Sequence, residues 1–128
     1  IKNKKESYLQ VKEAAIWMKE HSNPGDKIFS ISLPQTAYYS TRETLTYTED
    51  INSNPINETN FEGYLLKEKP RYLTVSIFEY LPPWILEYID THKNMFKPVQ
   101  AYLMEDQNPL LVVYEIDYSK LIGYADEI

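Results

Sequence analysis

The chain has 128 residues, with 13 Lys plus Arg against 19 Asp plus Glu, no Cys, and a formal net charge of −6. That length suits one domain with its own core, and 43% hydrophobic with 25% charged residues is an ordinary globular composition. The acidic balance leaves no basic footprint for nucleic acid, and the missing thiols exclude disulfides, zinc–thiolate sites and a cysteine nucleophile.

Residues 1–6 are polar and lysine-rich and read as a linker, followed by a single α/β domain over 7–128. Ser7 is a plausible N-cap for a helix to about His21, because Tyr8, Val11, Ala15 and Met18 recur at helical spacing, widened by Ala14 and Trp17. Asn23-Pro24-Gly25-Asp26 then turns the chain. The short apolar run Ile28 to Leu33 predicts a buried, central strand, and Pro34 opens a short helix through Tyr39. Leu45 to Thr48 reads as a second strand, and the polar stretch from Glu49 to Asn60 as an exposed loop. Phe61, Tyr64 and Leu65 or Leu66 mark another short helix that ends near Pro70.

Arg71 to Phe78 is the clearest strand, and Pro82-Pro83 starts a helix that carries Trp84, Ile85, Tyr88 and Ile89 to about His92. Val99 to Met104 and Leu110 to Ile116 are two more strands, joined by a turn short enough for a hairpin. Helices alternating with short strands predict an α/β, Rossmann-like three-layer domain, its sheet mostly parallel with a C-terminal antiparallel hairpin.

Twelve Tyr and a Lys excess over Arg stand out. Tyr buries a large body and keeps a polar tip, so half-buried sheet edges, an interface or sugar contacts would each use it. The codon bias of an AT-rich genome accounts for the count as well. The chain opens on Ile1 without an initiator Met, which predicts a piece of a longer protein. No segment has the form of a signal peptide, and no apolar run approaches the roughly 20 residues that span a bilayer.

Chemistry-bearing patterns are few. Three Gly, at 25, 63 and 123, leave no glycine-rich phosphate loop, and Pro34 removes a backbone N–H where a phosphate would need one. No dinucleotide site, metal or cofactor is therefore expected. His21 and His92 both fall at helix C-termini, where the dipole favours an imidazolium, and neither has a partner at metal-ligand spacing. No Gly-x-Ser-x-Gly elbow or other catalytic set occurs.

In open α/β sheets ligands bind beyond the carboxyl ends of the strands. Ser32, Gln35, Tyr38, Tyr39 and Arg42 follow the first strand, and Ser76 and Glu79 end the clearest one. Gln35, Tyr38, Tyr39, Arg42 and Glu79 are accordingly the candidate ligand residues, suited to a hydroxyl-rich or anionic molecule. Pairing of Arg42 with Glu43 or Glu79, with the tyrosines packed on the sheet, is the structural alternative. Asn57-Glu58-Thr59 is an N-glycosylation sequon within the polar loop.

Five stretches in order carry a resemblance: Ala14 to Glu20, Asn23 to Ile28, Tyr38 to Arg42, Lys69 to Leu73, and Val112 to Ile116. Together the chain resembles the soluble C-terminal module of archaeal GT-C type membrane glycosyltransferases, similar to dolichyl-phosphate-mannose protein mannosyltransferases. In that family the acidic catalytic residues and the lipid-linked sugar donor belong to the membrane part, so no catalytic residue carries over to this chain. The resemblance implies a noncatalytic extracytoplasmic domain that supports the membrane core of the same polypeptide or binds a glycan or protein acceptor. A stand-alone carbohydrate- or peptide-binding module is the second reading, and a hydrolase or transferase with an unrecognised acid/base pair the third.

Overall fold

Val11, Ala14, Ala15 and Met18 are all buried, and their spacing lays them along one side of the first helix, α1 (Lys2–Glu20). In the computed structural model, which describes residues 2–46, 56–77 and 81–121, this helix already includes Lys2 to Glu6. Residues 2–6 of the stretch expected to be a linker are therefore helical, and Ser7 sits inside the helix instead of capping it. After α1 the chain passes through β1 (Lys27–Phe29), α2 (Leu33–Ser40), β2 (Glu43–Leu45), α3 (Phe61–Glu68) and β3 (Tyr72–Ser76). It continues through α4 (Pro83–Thr91), β4 (Phe96–Leu103), β5 (Pro109–Ile116) and a short 3-10 helix (Tyr118–Leu121).

The five strands form one sheet in the order β2-β1-β3-β5-β4. The pairs β1–β2 and β1–β3 are parallel, whereas β3–β5 and β4–β5 are antiparallel. The expectation of a mostly parallel sheet is thus corrected to a mixed one. The hairpin itself is as expected, but β5 returns between β3 and β4. It takes the place where a parallel β3–β4 pair would have formed.

Side chains alternate across the strands, as the period of 2 requires. Ile28, Tyr72, Leu111 and Val113 pack with α1 on one face, joined by the half-buried Trp17, Val99 and Tyr102. Phe29, Leu73, Phe96 and Ile116 pack on the other with Phe61 and Leu65 of α3 and Ile85 and Ile89 of α4. Helices therefore cover both faces. The reason is handedness: the chain moves outward from β1 to β2 and back past β1 to β3. Right-handed crossovers in opposite directions place α2 and α3 on opposite faces.

That reversal defines two ends of the sheet. Lys27, Glu43 and Arg71 stand at the amino end of the parallel strands; Ser30 and Ser32 follow the carboxyl end of β1, and Ser76 closes β3 with Ile77 after it. β4, an edge strand, carries Pro98 and two register irregularities, features that discourage pairing with a further strand.

Candidate functional site

The crevice beyond β1 and β3, where the chain reverses, is the position at which α/β sheets most often bind ligands. Here it is filled by hydroxyls. Ser30 Oγ accepts a hydrogen bond from Thr74 Oγ1 at 3.0 Å and one from the Ser32 N–H at 3.2 Å, and lies 3.1 Å from Thr36 Oγ1. All four residues are buried. The remaining space, enclosed by Val11, Met18, Ser30, Thr36, Thr74 and Leu111, is about 10 Å³, room for a single water. A small-molecule pocket usually needs roughly 300 Å³ or more. The sequence carried one sign of this plug: Ser30 and Ser32 interrupt an otherwise apolar strand.

The candidate ligand residues do not meet at that crevice. Gln35 is half-buried in the first turn of α2. Tyr38 is 76% exposed, its ring edge-to-face with Tyr39 at 4.9 Å, and Lys12 of α1 sits over the Tyr39 ring at 5.2 Å. Because α2 runs back toward the amino end, Arg42 lies at the opposite end from Ser32. Its guanidinium donates to the carbonyls of Lys19 and Ser22 at 3.1 and 3.2 Å, to Ser22 Oγ at 3.0 Å and to Thr41 Oγ1 at 3.2 Å. It thereby satisfies carbonyls at the end of α1 that the helix leaves open. Glu43 approaches Lys27 at 3.8 Å. Glu79 lies outside the described residues.

Charged pairs gather at the amino end. Arg71 Nη1 reaches Asp26 Oδ2 at 3.0 Å and its Nε reaches Glu115 Oε2 at 3.1 Å, while Lys27 Nζ reaches Glu68 Oε1 at 2.8 Å. The Asn23 N–H chiefly holds the Asp26 carboxyl below its usual range; partial burial opposes this and Arg71 reinforces it. The hydrogen bond between Lys27 and Glu68 raises the ammonium pKa and lowers that of the carboxyl.

Among the described residues three tyrosines serve as struts, Tyr72 buried and Tyr88 and Tyr118 half-buried. Tyr72 donates to the His21 carbonyl at 2.9 Å, Tyr118 to the Pro70 carbonyl at 2.5 Å, and Tyr88 to Glu62 Oε1 at 2.9 Å. Burial raises the phenol pKa of each, and pushes that of Tyr64 up to about 12. Both histidines end helices as expected: Nδ1 of His21 donates to the Trp17 carbonyl and Nδ1 of His92 to that of Tyr88, each ring stacked on the aromatic one turn back. Among the described residues no group of three His, Asp or Glu is placed to hold a metal ion. No helix among them is long and apolar enough to cross a membrane.

Two further features lie at the carboxyl end. Leu9, Ile77, Leu86 and Leu103 are exposed, Ile77 to 61%, and Ile77 and Leu86 border an apolar cleft of about 330 Å³ with Val75, Leu81, Leu110 and Val112. Sequence reading missed these, since each belongs to an apolar element and only the sheet order reveals which side chains lack a cover. The sequon Asn57-Glu58-Thr59 is exposed just ahead of α3. No protein-family model matches the chain, and no curated protein or solved structure shows significant similarity to it.

Proposed function

We propose that this chain is a noncatalytic extracytoplasmic domain of a membrane glycosyltransferase, supporting the membrane part of the same polypeptide through the carboxyl end of its sheet. We read its β2-β1-β3 portion, with the reversal at β1, as Rossmann-like. The observation that carries the proposal is the state of that end: the usual ligand crevice is reduced to about 10 Å³ while large apolar side chains stand exposed around it. Such a surface suits contact with another apolar body better than binding of a polar substrate. The sequence resemblance supplies the identity of that body.

The alternative, a stand-alone carbohydrate- or peptide-binding module, has the open Tyr38 ring in its favour, since an exposed aromatic face suits a sugar ring. Against it, Arg42 is engaged with the end of α1. The experiment is to fractionate the native gene product and read its full sequence. An integral membrane polypeptide with several apolar stretches of about 20 residues is expected. A wholly soluble gene product without such stretches overturns the proposal.

A further inference from the structure

The sequon at Asn57 is the only Asn-x-Ser/Thr triplet in the chain. Its local geometry leaves one atom open. Asn57 Oδ1 accepts from the Thr59 N–H at 2.9 Å, from Thr59 Oγ1 at 2.5 Å and from the Asn60 N–H at 3.2 Å. The Asn57 N–H in turn donates to Asn60 Oδ1 at 2.8 Å. Every strong hydrogen bond of the Asn57 side chain is therefore made by its oxygen, and Nδ2 has no partner among the described residues. Asn57, Glu58, Thr59 and Asn60 are all exposed, whereas Ile56 and Phe61 on either side are buried and fix the segment to the body of the domain.

We infer that Asn57 is an N-glycan attachment site, taking its sugar from a lipid-linked glycosyl phosphate. In the transfer, Nδ2 attacks the anomeric carbon of the donor sugar and forms a C–N bond. The bond from that carbon to the phosphate oxygen breaks, its electron pair stays on the phosphate, and the amide proton passes to a carboxylate of the transferase. No oxidation or reduction is involved. This inference rests on the extracytoplasmic reading, because such donors are used on that side of the membrane.

The sequon lies at the same end of the sheet as the exposed apolar side chains. Asn57 leads into α3, whose Phe61 packs edge-to-face on Phe29 of β1. The exposed Ile77 follows β3, and Leu86 and Leu103 belong to α4 and β4.

The test is mass spectrometry of the tryptic peptide spanning residues 43–67, taken from the full polypeptide in its native membranes. A glycan on that peptide is expected in the unaltered chain and in Thr59→Ser, with complete loss in Asn57→Asp and Thr59→Val. Asn57→Asp keeps the acceptor oxygen and hence the turn, so an unchanged thermal midpoint separates loss of the glycan from loss of the fold. Because these 128 residues contain no Cys, a parallel Glu105→Cys variant, compared with the unaltered full polypeptide, reports location through the added labelling of intact cells by a membrane-impermeant maleimide. An unmodified 43–67 peptide overturns the inference. If Glu105→Cys is labelled, only the glycan assignment falls; if it is protected, the extracytoplasmic reading falls with it.

Discussion

The two ends of the sheet are built from opposite materials. At the amino end Asp26, Arg71 and Glu115 form one charged group and Lys27, Glu43 and Glu68 another, while Arg42 ties the start of β2 to the end of α1. At the carboxyl end the interior is a cluster of neutral hydroxyls, and Leu9, Ile77, Leu86 and Leu103 stand exposed around it. An α/β protein that binds a polar ligand concentrates its charges and hydrogen-bond donors at the carboxyl end. This chain reverses that distribution, so its ionic groups hold the fold together and its carboxyl end is left as a surface.

The sharpest way to break this contrast is to alter the hydroxyl hub. Ser30→Ala removes the shared partner of Thr36, Thr74 and the Ser32 N–H in a buried site, at an expected cost of about 2–3 kcal/mol. Ile77→Ser at the same end should change the stability of the isolated domain by less than about 0.5 kcal/mol. Urea unfolding of the two variants decides it. Equal losses would make Ile77 part of the core and remove the case for an open surface.

Next in size is Arg71→Met, which leaves Asp26 and Glu115 without their cation. The three side chains are about one-third exposed, so solvent screening limits the loss to roughly 1–2 kcal/mol. A double-mutant cycle with Asp26→Asn should show coupling of about 0.5–1 kcal/mol. Additive losses would show that the pair is merely adjacent.

The pH dependence follows from the same inventory. The carboxyls of Asp26, Glu68 and Asp117 titrate below their ordinary range in the folded chain, so the stability they give is present above about pH 4 and is lost as pH falls through their folded values. The phenols of Tyr64, Tyr72, Tyr88, Tyr114 and Tyr118 titrate above theirs, so their share is present below about pH 10 and is lost as pH rises beyond it. Ultraviolet titration should therefore show these tyrosines ionising together with alkaline unfolding. Ionisation of all twelve near pH 10 with the far-ultraviolet circular dichroism intact would contradict their burial.

The smallest expected effect is a gain. Thr41 and Lys69 end α2 and α3 in the left-handed region, at φ of 57° and 48°, a conformation that costs a residue with a Cβ. Lys69→Gly should raise stability by about 0.5–1 kcal/mol, measured as a higher thermal midpoint. A fall would indicate that the Lys69 side chain makes a contact worth more than the relief of strain.

Local features were legible where one residue type has one use. Pro82-Pro83 marks the start of α4, the Asn23 to Asp26 turn ends α1, and the β-branched and aromatic residues of the run from Arg71 to Phe78 give β3. What could not be read depends on where elements meet. The insertion of β5 between β3 and β4 leaves no trace in either strand, since the composition of a strand does not specify the neighbour with which it pairs. The eight-residue length of α2 carries Arg42 to the far end of the sheet from Gln35, so residues seven apart in sequence do not share a site. β1 is shorter than its apolar run because the chain leaves the sheet after Ser30, whose side chain becomes the hub of the plug.

The proposed role of the carboxyl end, contact with a membrane part of the same polypeptide, is tested most directly by photo-crosslinking in native membranes. A photoreactive residue placed at Ile77 or Leu103 of the full polypeptide should form crosslinks to its apolar membrane segments, while the same group at Lys97 or Glu43, at the amino end, should form none. Equal crosslinking from both ends, or none from Ile77 and Leu103, would contradict it.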